Sequence, residues 1–406
     1  MQYLKSSIHI LFAISIGILL HSCIDPFEIE TIDFNSTLVV EGTITDKNET
    51  QRIMVSKTFP LDTVLMSGLS DAKVEVKDSN GSIYEFTETS TGIYTSKVPF
   101  SAAAGLTYSL MIQSIDGKTF MSEDASVPAT STLDNLYAER DFKDDGAEEG
   151  MFIYVDSFNP TGQSKYYRYE YDETYKIIAP FWSSADAYVV APLPEPEVAI
   201  RARTEEERVC YKTVYSNTII QENTTEFSED RVNKFPVRFI NRENFILSHR
   251  YSILVRQFVQ NRAAFAYYET LETLAGSESL FSQIQAGFLE GNIKSQTDEE
   301  NVIGFFQVST VSEKRIFFNY TDFFPGENLP DYVSDCPLLA PPLITEGGTS
   351  PLIDGIEQNL LKYYSEYSPM DDLLTTESPG PYYMVYSVCG DCTVLGDNTV
   401  PDFWIE

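Results

Sequence analysis

The chain has 406 residues, of which 43% are hydrophobic and 13% aromatic, so it is long and apolar enough to bury a sizeable core. It carries 61 acidic and 28 basic residues, for a net charge of −33. Because nucleic acids and anionic lipid headgroups attract basic patches, this charge argues against both as partners and favours a solvated surface outside the cell.

Residues 1–22 have the pattern of a secretory signal. Lys5 gives a basic start, and an apolar run extends from Ile8 to Leu20. A run of about a dozen apolar residues is too short to span a bilayer but typical of a signal. Leu20 and Ser22 before Cys23 resemble a bacterial lipobox, in which the signal is cut before a cysteine whose sulfur is lipidated. The alternative is an ordinary secretory signal with a chance cysteine.

Residues 23–35 form an acidic segment after the predicted cleavage point. This segment resembles the surface-export signal of Bacteroidota lipoproteins, and the alternative is a solvated tether. Lipid chains on Cys23 would hold the protein at a bilayer surface without a transmembrane helix. No later apolar stretch is long enough to span a bilayer.

Residues 36–128 alternate apolar and polar side chains in short segments separated by turns. Leu38, Val40 and Ile44 alternate in the first segment, which predicts a half-buried strand over 36–45. A hairpin is predicted around Ser79-Asn80-Gly81. About seven short strands in about 100 residues predict an immunoglobulin-like β-sandwich. The other strands are predicted at 51–58, 72–76, 83–86, 93–94, 107–114 and 119–122.

The order of glycines and apolar residues in this region resembles a known domain class. The segments are Gly42-Thr43-Ile44, Asp71-Ala72-Lys73-Val74, Gly92-Ile93-Tyr94 and Gly105–Ile112. Together they resemble transthyretin-like or carboxypeptidase-regulatory-like domains. Such domains serve as adhesive or spacer modules and as N-terminal extensions of outer-membrane receptors, and the fold alone implies no function.

Residues 131–406 are predicted to form a second, β-rich domain. Aromatic-rich strands at 151–156 and 166–174 flank Asn159-Pro160-Thr161-Gly162 and resemble the opening hairpin of a fibronectin-type sandwich. Residues 177–236 contain several prolines and charges, so an irregular insertion is predicted there, partly held by Cys210.

The later part of this domain contains a predicted strand over 250–260 and a helix over 261–275. Apolar side chains recur at helical spacing in the helix, Asn261 is a suitable N-cap and Gly276 ends it. A hairpin of 302–311 and 314–319 follows. The predicted fold class is therefore mainly β: an N-terminal immunoglobulin-like sandwich, then a β-rich, fibronectin-like domain with one α-helix and long loops.

The cysteines after Cys23 are Cys210, Cys336, Cys389 and Cys392. An even number in an exported chain predicts two disulfides, with three possible connectivities. Zinc binding and redox chemistry are the alternatives for the Cys389–Cys392 pair. Zinc needs four Cys or His ligands, and a redox Cys-x-x-Cys usually opens a helix, whereas glycines here indicate a loop.

No residue pattern indicates catalysis. The chain has no G-x-S-x-G elbow, H-E-x-x-H motif, P-loop or dinucleotide fingerprint. A Ser-His-Asp triad would need His249, which is interpreted as a structural histidine at a strand start. Residues 78–81 resemble the start of a calcium loop but lack its remaining spacing, so a hairpin turn is preferred. The sequence therefore predicts no catalytic residue, no metal ligand and no cofactor.

Aromatic side chains are the remaining candidates for binding, because they offer a large contact area at little entropy cost. Phe181 and Trp182 lie in the predicted insertion and are the candidate binding aromatics. Core packing is the alternative for them, and it is the preferred interpretation of the alternating tyrosines at 166–171 and of Trp404.

The order of several short segments along nearly the whole chain resembles one family. The segments are Cys23 with its acidic followers, Leu38–Ile44, Asp71–Val74, Cys210-Tyr211, Arg250–Val255, Gly291–Ile293, Gly304–Phe306, Lys314–Phe317, Cys389–Cys392 and Pro401–Trp404. Together they resemble the Bacteroidota lipoproteins grouped as domain of unknown function 4249. That family has no established catalytic residues to carry over. Its members resemble partners of outer-membrane TonB-dependent receptors, which implies a receptor-associated surface lipoprotein.

Three functions follow as hypotheses. The leading one is a surface-exposed outer-membrane lipoprotein that acts as a non-enzymatic partner of a TonB-dependent receptor in the uptake of an unidentified solute. The second is a structural or assembly subunit of an outer-membrane complex, with no solute affinity. The third is a hydrolase on polysaccharide or peptide, which a deep cleft with converging carboxylates would favour and a shallow surface would contradict.

Overall fold

A computed structural model describes residues 36–59, 67–276, 289–297, 300–368 and 379–406. The predicted signal peptide (1–22), the lipidation site at Cys23 and the acidic tether (23–35) lie outside the described residues. None of the helices in the described ranges combines the length and apolar composition needed to cross a membrane. Strands account for 49% of the structure and helices for 11%, which confirms the prediction of a mainly β fold.

The N-terminal strands surround the first hydrophobic core. In the first strand Leu38, Val40 and Ile44 are buried and Glu41 is exposed, as the alternation predicted. The strands are β1 (Leu38–Thr45), β2 (Arg52–Lys57), β3 (Ser67–Gly68), β4 (Lys73–Asp78), β5 (Ile83–Ser90), β6 (Ile93–Ser96), β7 (Thr107–Gln113), β8 (Thr119–Ser122) and β9 (Ala125–Ser126). They form one sheet in the order β1-β2-β6-β5-β4-β7-β8, and β4 and β5 make the predicted hairpin.

The next strands enclose a second core between two sheets. They are β10 (Leu133–Lys143), β11 (Glu148–Phe158), β12 (Tyr166–Ile178), β13 (Ala185–Ala191), β14 (Glu197–Ala202), β15 (Val209–Tyr215), β16 (Ile220–Asn223), β17 (Arg231–Asn241) and β18 (Arg250–Gln260). One sheet has the order β10-β11-β17, and the facing sheet contains β15-β12-β18 with β16 beside β12. Apolar side chains from both sheets, such as Ile153 and Ile253, meet in this core.

A helix and a long strand complete the two cores. Helix α1 (Arg262–Gly276) follows β18 as predicted, and β19 (Ile293–Ser295) and β20 (Val302–Asn319) come later in the chain. β19 pairs with β8, and the first half of β20 pairs in parallel with β1. Residues 293–308 therefore contribute to the first core, whereas the sequence predicts that residues 131–406 form a second domain.

The predicted hairpin of 302–311 and 314–319 is wrong, because β20 is one continuous strand. Its residues 302–309 pair with β1 and its residues 310–319 pair with β18. The segment between the two halves has no Gly, Pro, Asn or Asp to turn the chain, and both halves have a neighbouring strand to pair with. β20 thus joins the sheet around the first core to the sheet around the second core through continuous backbone.

Two other predictions for the second domain are corrected. β11 and β12 flank the predicted turn but do not form a hairpin, since β11 pairs with β10 and β17 while β12 pairs with β15, β16 and β18. The chain crosses from one sheet to the other at Asn159–Gly162. Residues 177–236 are not an irregular insertion, because they contain β13 to β16 and the start of β17, with the prolines at 192, 194 and 196 confined to the β13–β14 connection.

A small third core forms from the β13–β14 hairpin and the C-terminal segments. These segments are α3 (Pro351–Glu357), β21 (Leu361–Glu366) and β22 (Tyr382–Tyr386). Two short helices complete the described elements, α2 (Tyr320–Phe323), whose Tyr320 lies in the second core, and α4 (Ser387–Gly390) after β22. Ala187 of β13 meets Leu352 of α3, Tyr363 of β21 and Met384 of β22 in this core. The hairpin is therefore packed against the body of the protein.

Candidate functional site

A cleft of about 950 Å³ lies beside α1. Its walls are the exposed side of α1, the β8–β9 connection and residues 289–292, and Phe305 of β20 lies at its floor. The cleft thus lies near the first half of β20, which pairs with β1 of the first core.

Helix α1 is held in place by its N-cap and its apolar stripe. The Asn261 side chain accepts a hydrogen bond from the Ala264 N–H at 2.8 Å, as the predicted N-cap requires. Ala264, Tyr267 and Tyr268 are buried against Phe305, at the spacing of one helix face. The opposite face of α1 remains free to line the cleft.

Two aromatic rings form the floor of the cleft. Tyr267 and Phe305 are both buried, and their ring centroids are 5.3 Å apart. Burial, with smaller contributions from Tyr268 and the Glu41 carboxylate, raises the pKa of Tyr267 to about 12. The Tyr267 hydroxyl therefore stays protonated at neutral pH.

Four carboxylates lie along the rim of the cleft. They belong to Glu123, Asp124, Glu269 and Glu290, and all four residues are exposed. No lysine or arginine is found among the described residues that line the cleft. Glu123 makes an exposed ion pair with Lys294 at 3.4 Å, so one cation lies beside the four carboxylates. The rim therefore presents negative charge and disfavours anionic ligands.

The wall formed by residues 289–292 is fixed to β20 through one side chain. The Asn292 amide donates to the Phe306 carbonyl at 2.7 Å and accepts from the Phe306 N–H at 2.8 Å. Gly291 lies against Gly304, where a Cβ would come within 1.6 Å of the Gly304 carbonyl oxygen. In the sequence these segments stand out only through the family resemblance, and no local pattern predicts that they shape a cleft.

The candidate binding aromatics lie away from this cleft. The Phe181 ring packs edge-on against the Tyr364 ring, with the ring centroids 5.4 Å apart. The backbone N–H of Phe181 donates to the Cys389 carbonyl at 3.0 Å. Trp182 is half-buried against the second core, and its indole N–H has no hydrogen-bond partner among the described residues. Their role in binding stays a prediction.

The four later cysteines form two disulfides, Cys210–Cys392 and Cys336–Cys389. The predicted number of bridges is confirmed, and the structure selects one of the three connectivities. Cys389 and Cys392 are not bonded to each other, since each reaches a distant segment. This pairing leaves no thiol at Cys389 or Cys392 for the redox and zinc alternatives.

His249 lies half-buried in a recess of about 340 Å³ with Lys176 and Arg250. Burial first, and then the charge of Lys176, lowers the pKa of His249. In this recess Ser248 Oγ donates to the Pro330 carbonyl at 3.4 Å. Ser248 is thus engaged with the backbone at residue 330, and the role of His249 as a structural histidine stays a prediction.

In the turn at residues 78–81, backbone N–H groups of the chain donate hydrogen bonds to the Asp78 carboxylate. Asp78 Oδ1 accepts hydrogen bonds from the N–H groups of Asn80 and Ser82, both at 2.9 Å. Within the described ranges, no group of three or more His, Cys, Asp or Glu side chains is arranged to hold a metal ion.

Comparisons with known proteins give a family match and weak structural likenesses. A profile described as domain of unknown function (DUF4249) matches residues 24–315. A search of the curated proteins returned no match. Among solved structures, trypsin-activated alpha-2-macroglobulin from Escherichia coli matches at 10% identity with a TM-score of 0.18, over 57% of this chain and 15% of that chain. A likeness this weak carries no argument about function.

Proposed function

This chain belongs to the DUF4249 family, and we propose that it is a non-enzymatic, lipid-anchored accessory protein of an outer-membrane TonB-dependent receptor. It acts at the cell surface and assists the uptake of a solute. The observation that carries the binding role is the cleft beside α1, with its aromatic floor and acidic rim. The solute that enters it is not anionic, because the described residues that line the cleft include four carboxylates and no lysine or arginine.

The anchor is part of the proposal and rests on the sequence. Residues 1–23 resemble a lipoprotein signal with its lipidated Cys23. The family match begins at residue 24, directly after that cysteine, which supports removal of the preceding residues. In this proposal the first core is a transthyretin-like spacer, and the whole chain is a Bacteroidota surface lipoprotein held by acyl chains.

The carboxylates at the rim of the cleft suggest a hydrolase as the alternative function. A general acid of a glycosidase keeps its proton at neutral pH through burial in apolar surroundings. Glu123, Asp124, Glu269 and Glu290 are all exposed to solvent, so they lack such surroundings. This difference favours binding over hydrolysis, and release of reducing ends from a polysaccharide by the purified protein would reverse that preference.

Affinity purification from the native membrane tests the partnership. An epitope tag inserted after Gly81 lies in an exposed turn, and a Cβ at Gly81 would meet no atom within 4 Å. We expect a TonB-dependent receptor to co-purify in near-stoichiometric amount, and recovery of no barrel protein would contradict the proposal. The Cys23→Ala variant is the matched control and is expected to leave the membrane fraction.

A rim variant separates solute binding from a purely structural role. The exposed side chains of Asp124 and Glu269 are changed together in Asp124→Asn/Glu269→Gln, which should alter stability by less than about 0.5 kcal/mol. We expect the receptor to co-purify unchanged while the set of small molecules retained by the protein, measured by mass spectrometry, changes. An unchanged set would favour the structural or assembly subunit.

A further inference from the structure

The recess that contains His249 has a positively charged lining, although the chain as a whole has a net charge of −33. It lies where β12 and β20 end and β18 begins, and its volume of about 340 Å³ suits a small molecule. Lys176 and Arg250 are its two cations, and Glu406 is the one carboxylate among the described residues that line it. The recess shares no described lining residue with the cleft beside α1.

Arg250 has no carboxylate partner among the described residues. Its Nη1 donates to Asn319 Oδ1 at 3.3 Å, and its Nε donates to the Ile405 carbonyl. Its guanidinium lies over the Phe317 ring, 5.3 Å from the centroid. Within the described ranges its Nη2 has no hydrogen-bond partner. Because the guanidinium fork matches the two oxygens of a carboxylate, Arg250 can still pair with an anion that enters the recess.

A carboxylate of the chain itself already pairs with Lys176. The Lys176 Nζ donates to the two side-chain oxygens of Glu406 at 2.8 and 2.9 Å. The Tyr211 hydroxyl also donates to Glu406, at 3.3 Å. The Glu406 side chain is 63% exposed, and an ion pair this open to solvent stabilises a protein little. Glu406 therefore shows which chemical group Lys176 accepts, and a competing carboxylate can replace it.

His249 is placed to report the charge in this recess. Burial first, and then the charge of Lys176, keeps the pKa of His249 below its usual range. The other titratable side chains that line the recess are Arg250, Tyr320 and Glu406. An anion bound beside Lys176 and Arg250 offsets their positive charge, so it raises the pKa of His249.

We propose that this recess binds a small organic carboxylate. The carboxylate group pairs with Arg250 and takes the place of Glu406 at Lys176. A short apolar body contacts Ile178 and Leu329, which also line the recess. The net charge of −33 disfavours a larger acidic ligand such as an acidic protein segment. The inference goes beyond the proposed function, because the recess and the cleft share no described lining residue and either can act without the other.

The test uses the full chain in detergent with isotope-labelled histidine, and benzoate as the probe. The nuclear magnetic resonance signal of His249 is identified by its loss in His249→Gln. Benzamide has the shape of benzoate without its charge, and inorganic phosphate has charge without an apolar body. We expect benzoate to shift the His249 signal saturably and to raise the pKa of His249. Benzamide and phosphate are expected to bind at least roughly tenfold more weakly.

Two variants should change benzoate affinity in opposite directions. Lys176→Gln should bind benzoate at least roughly tenfold more weakly, because it removes a charged donor. Lys314→Gln is the matched control, since Lys314 is exposed, makes no ion pair with the described residues and does not line the recess. Glu406→Gln should bind benzoate about two- to fivefold more tightly, because it removes the competing carboxylate.

The Glu406→Gln variant keeps the test decisive. If Lys176→Gln melts at a lower temperature than the natural protein, Glu406→Gln still tests the site, because a folding defect does not tighten binding. No shift of the His249 signal with benzoate, equal binding of benzamide or phosphate, or no gain in affinity in Glu406→Gln would each overturn the proposal. None of these results bears on the receptor partnership, which co-purification tests separately.

Discussion

Removal of the Cys210–Cys392 disulfide is expected to destabilise the protein strongly. The bridge joins residues separated by 182 positions, and the Cys336–Cys389 bridge already bypasses 53 of them. The remaining loop of about 130 residues corresponds to about 5 kcal/mol of closure entropy in the unfolded chain. We expect the Cys210→Ala/Cys392→Ala variant to lose about 3 to 5 kcal/mol of unfolding free energy, because residual structure in the unfolded state reduces the full value.

Tryptophan fluorescence during urea unfolding measures this loss. The chain has 2 tryptophans, and both lie near the bridge. Trp182 packs against the second core, which contains Cys210 and Cys392, and Trp404 packs against Tyr211 with ring centroids 4.9 Å apart. Both reporters should therefore follow the unfolding of the second sandwich.

The second disulfide provides the control for this reasoning. With Cys210–Cys392 intact, Cys336–Cys389 closes a loop of 53 positions. The same relation gives about 4 kcal/mol for that loop, so Cys336→Ala/Cys389→Ala should be the milder variant. A loss below about 1 kcal/mol for the first variant, or a larger loss for the control, would refute the loop-entropy explanation.

Three more changes test the second core, the cleft wall and the histidine. Glu173→Gln should lower the free energy of unfolding in urea by about 2 to 3 kcal/mol, because Arg238 donates two hydrogen bonds of 3.1 Å to that buried carboxylate. A loss below about 1 kcal/mol would count against this explanation. Asn292→Ala should cost about 2 kcal/mol, since it removes both hydrogen bonds to Phe306, and an unchanged melting temperature would contradict it. Burial lowers the pKa of His249, so the unfolded chain binds a proton at this histidine more readily than the folded chain, and the free energy of unfolding should fall as the pH drops below about 6.5. His249→Gln should lack that part of the pH dependence. Identical pH profiles for the two proteins would contradict this prediction.

Local patterns were sufficient for elements that depend on neighbouring residues. The alternation in Leu38–Thr45 and the helical spacing with the Asn261 cap in α1 predicted a strand and a helix that the structure contains. Both patterns arise from short-range backbone geometry, in which one side of the element faces a core. The mainly β fold class follows from many such segments.

These local patterns do not predict which strands pair with each other. The sequence patterns predict each of these segments as extended, but they predict a hairpin where β20 is continuous and a β11–β12 pair that does not form. The alternation of apolar and polar residues indicates that a strand has one buried side. It does not indicate which strand lies beside it. Pairing depends on contacts between segments far apart in the chain, such as β1 with β20.

The candidate site likewise depends on contacts between segments far apart in the chain. The cysteine count predicted two disulfides, and only the fold placed Cys210 near Cys392 and Cys336 near Cys389. The cleft beside α1 is formed by segments from three parts of the chain, and its rim carboxylates are indistinguishable in sequence from the other acidic residues. The prediction of an export signal and the β character depend on adjacent residues, whereas the cleft and the disulfide pairing exist only where distant segments meet.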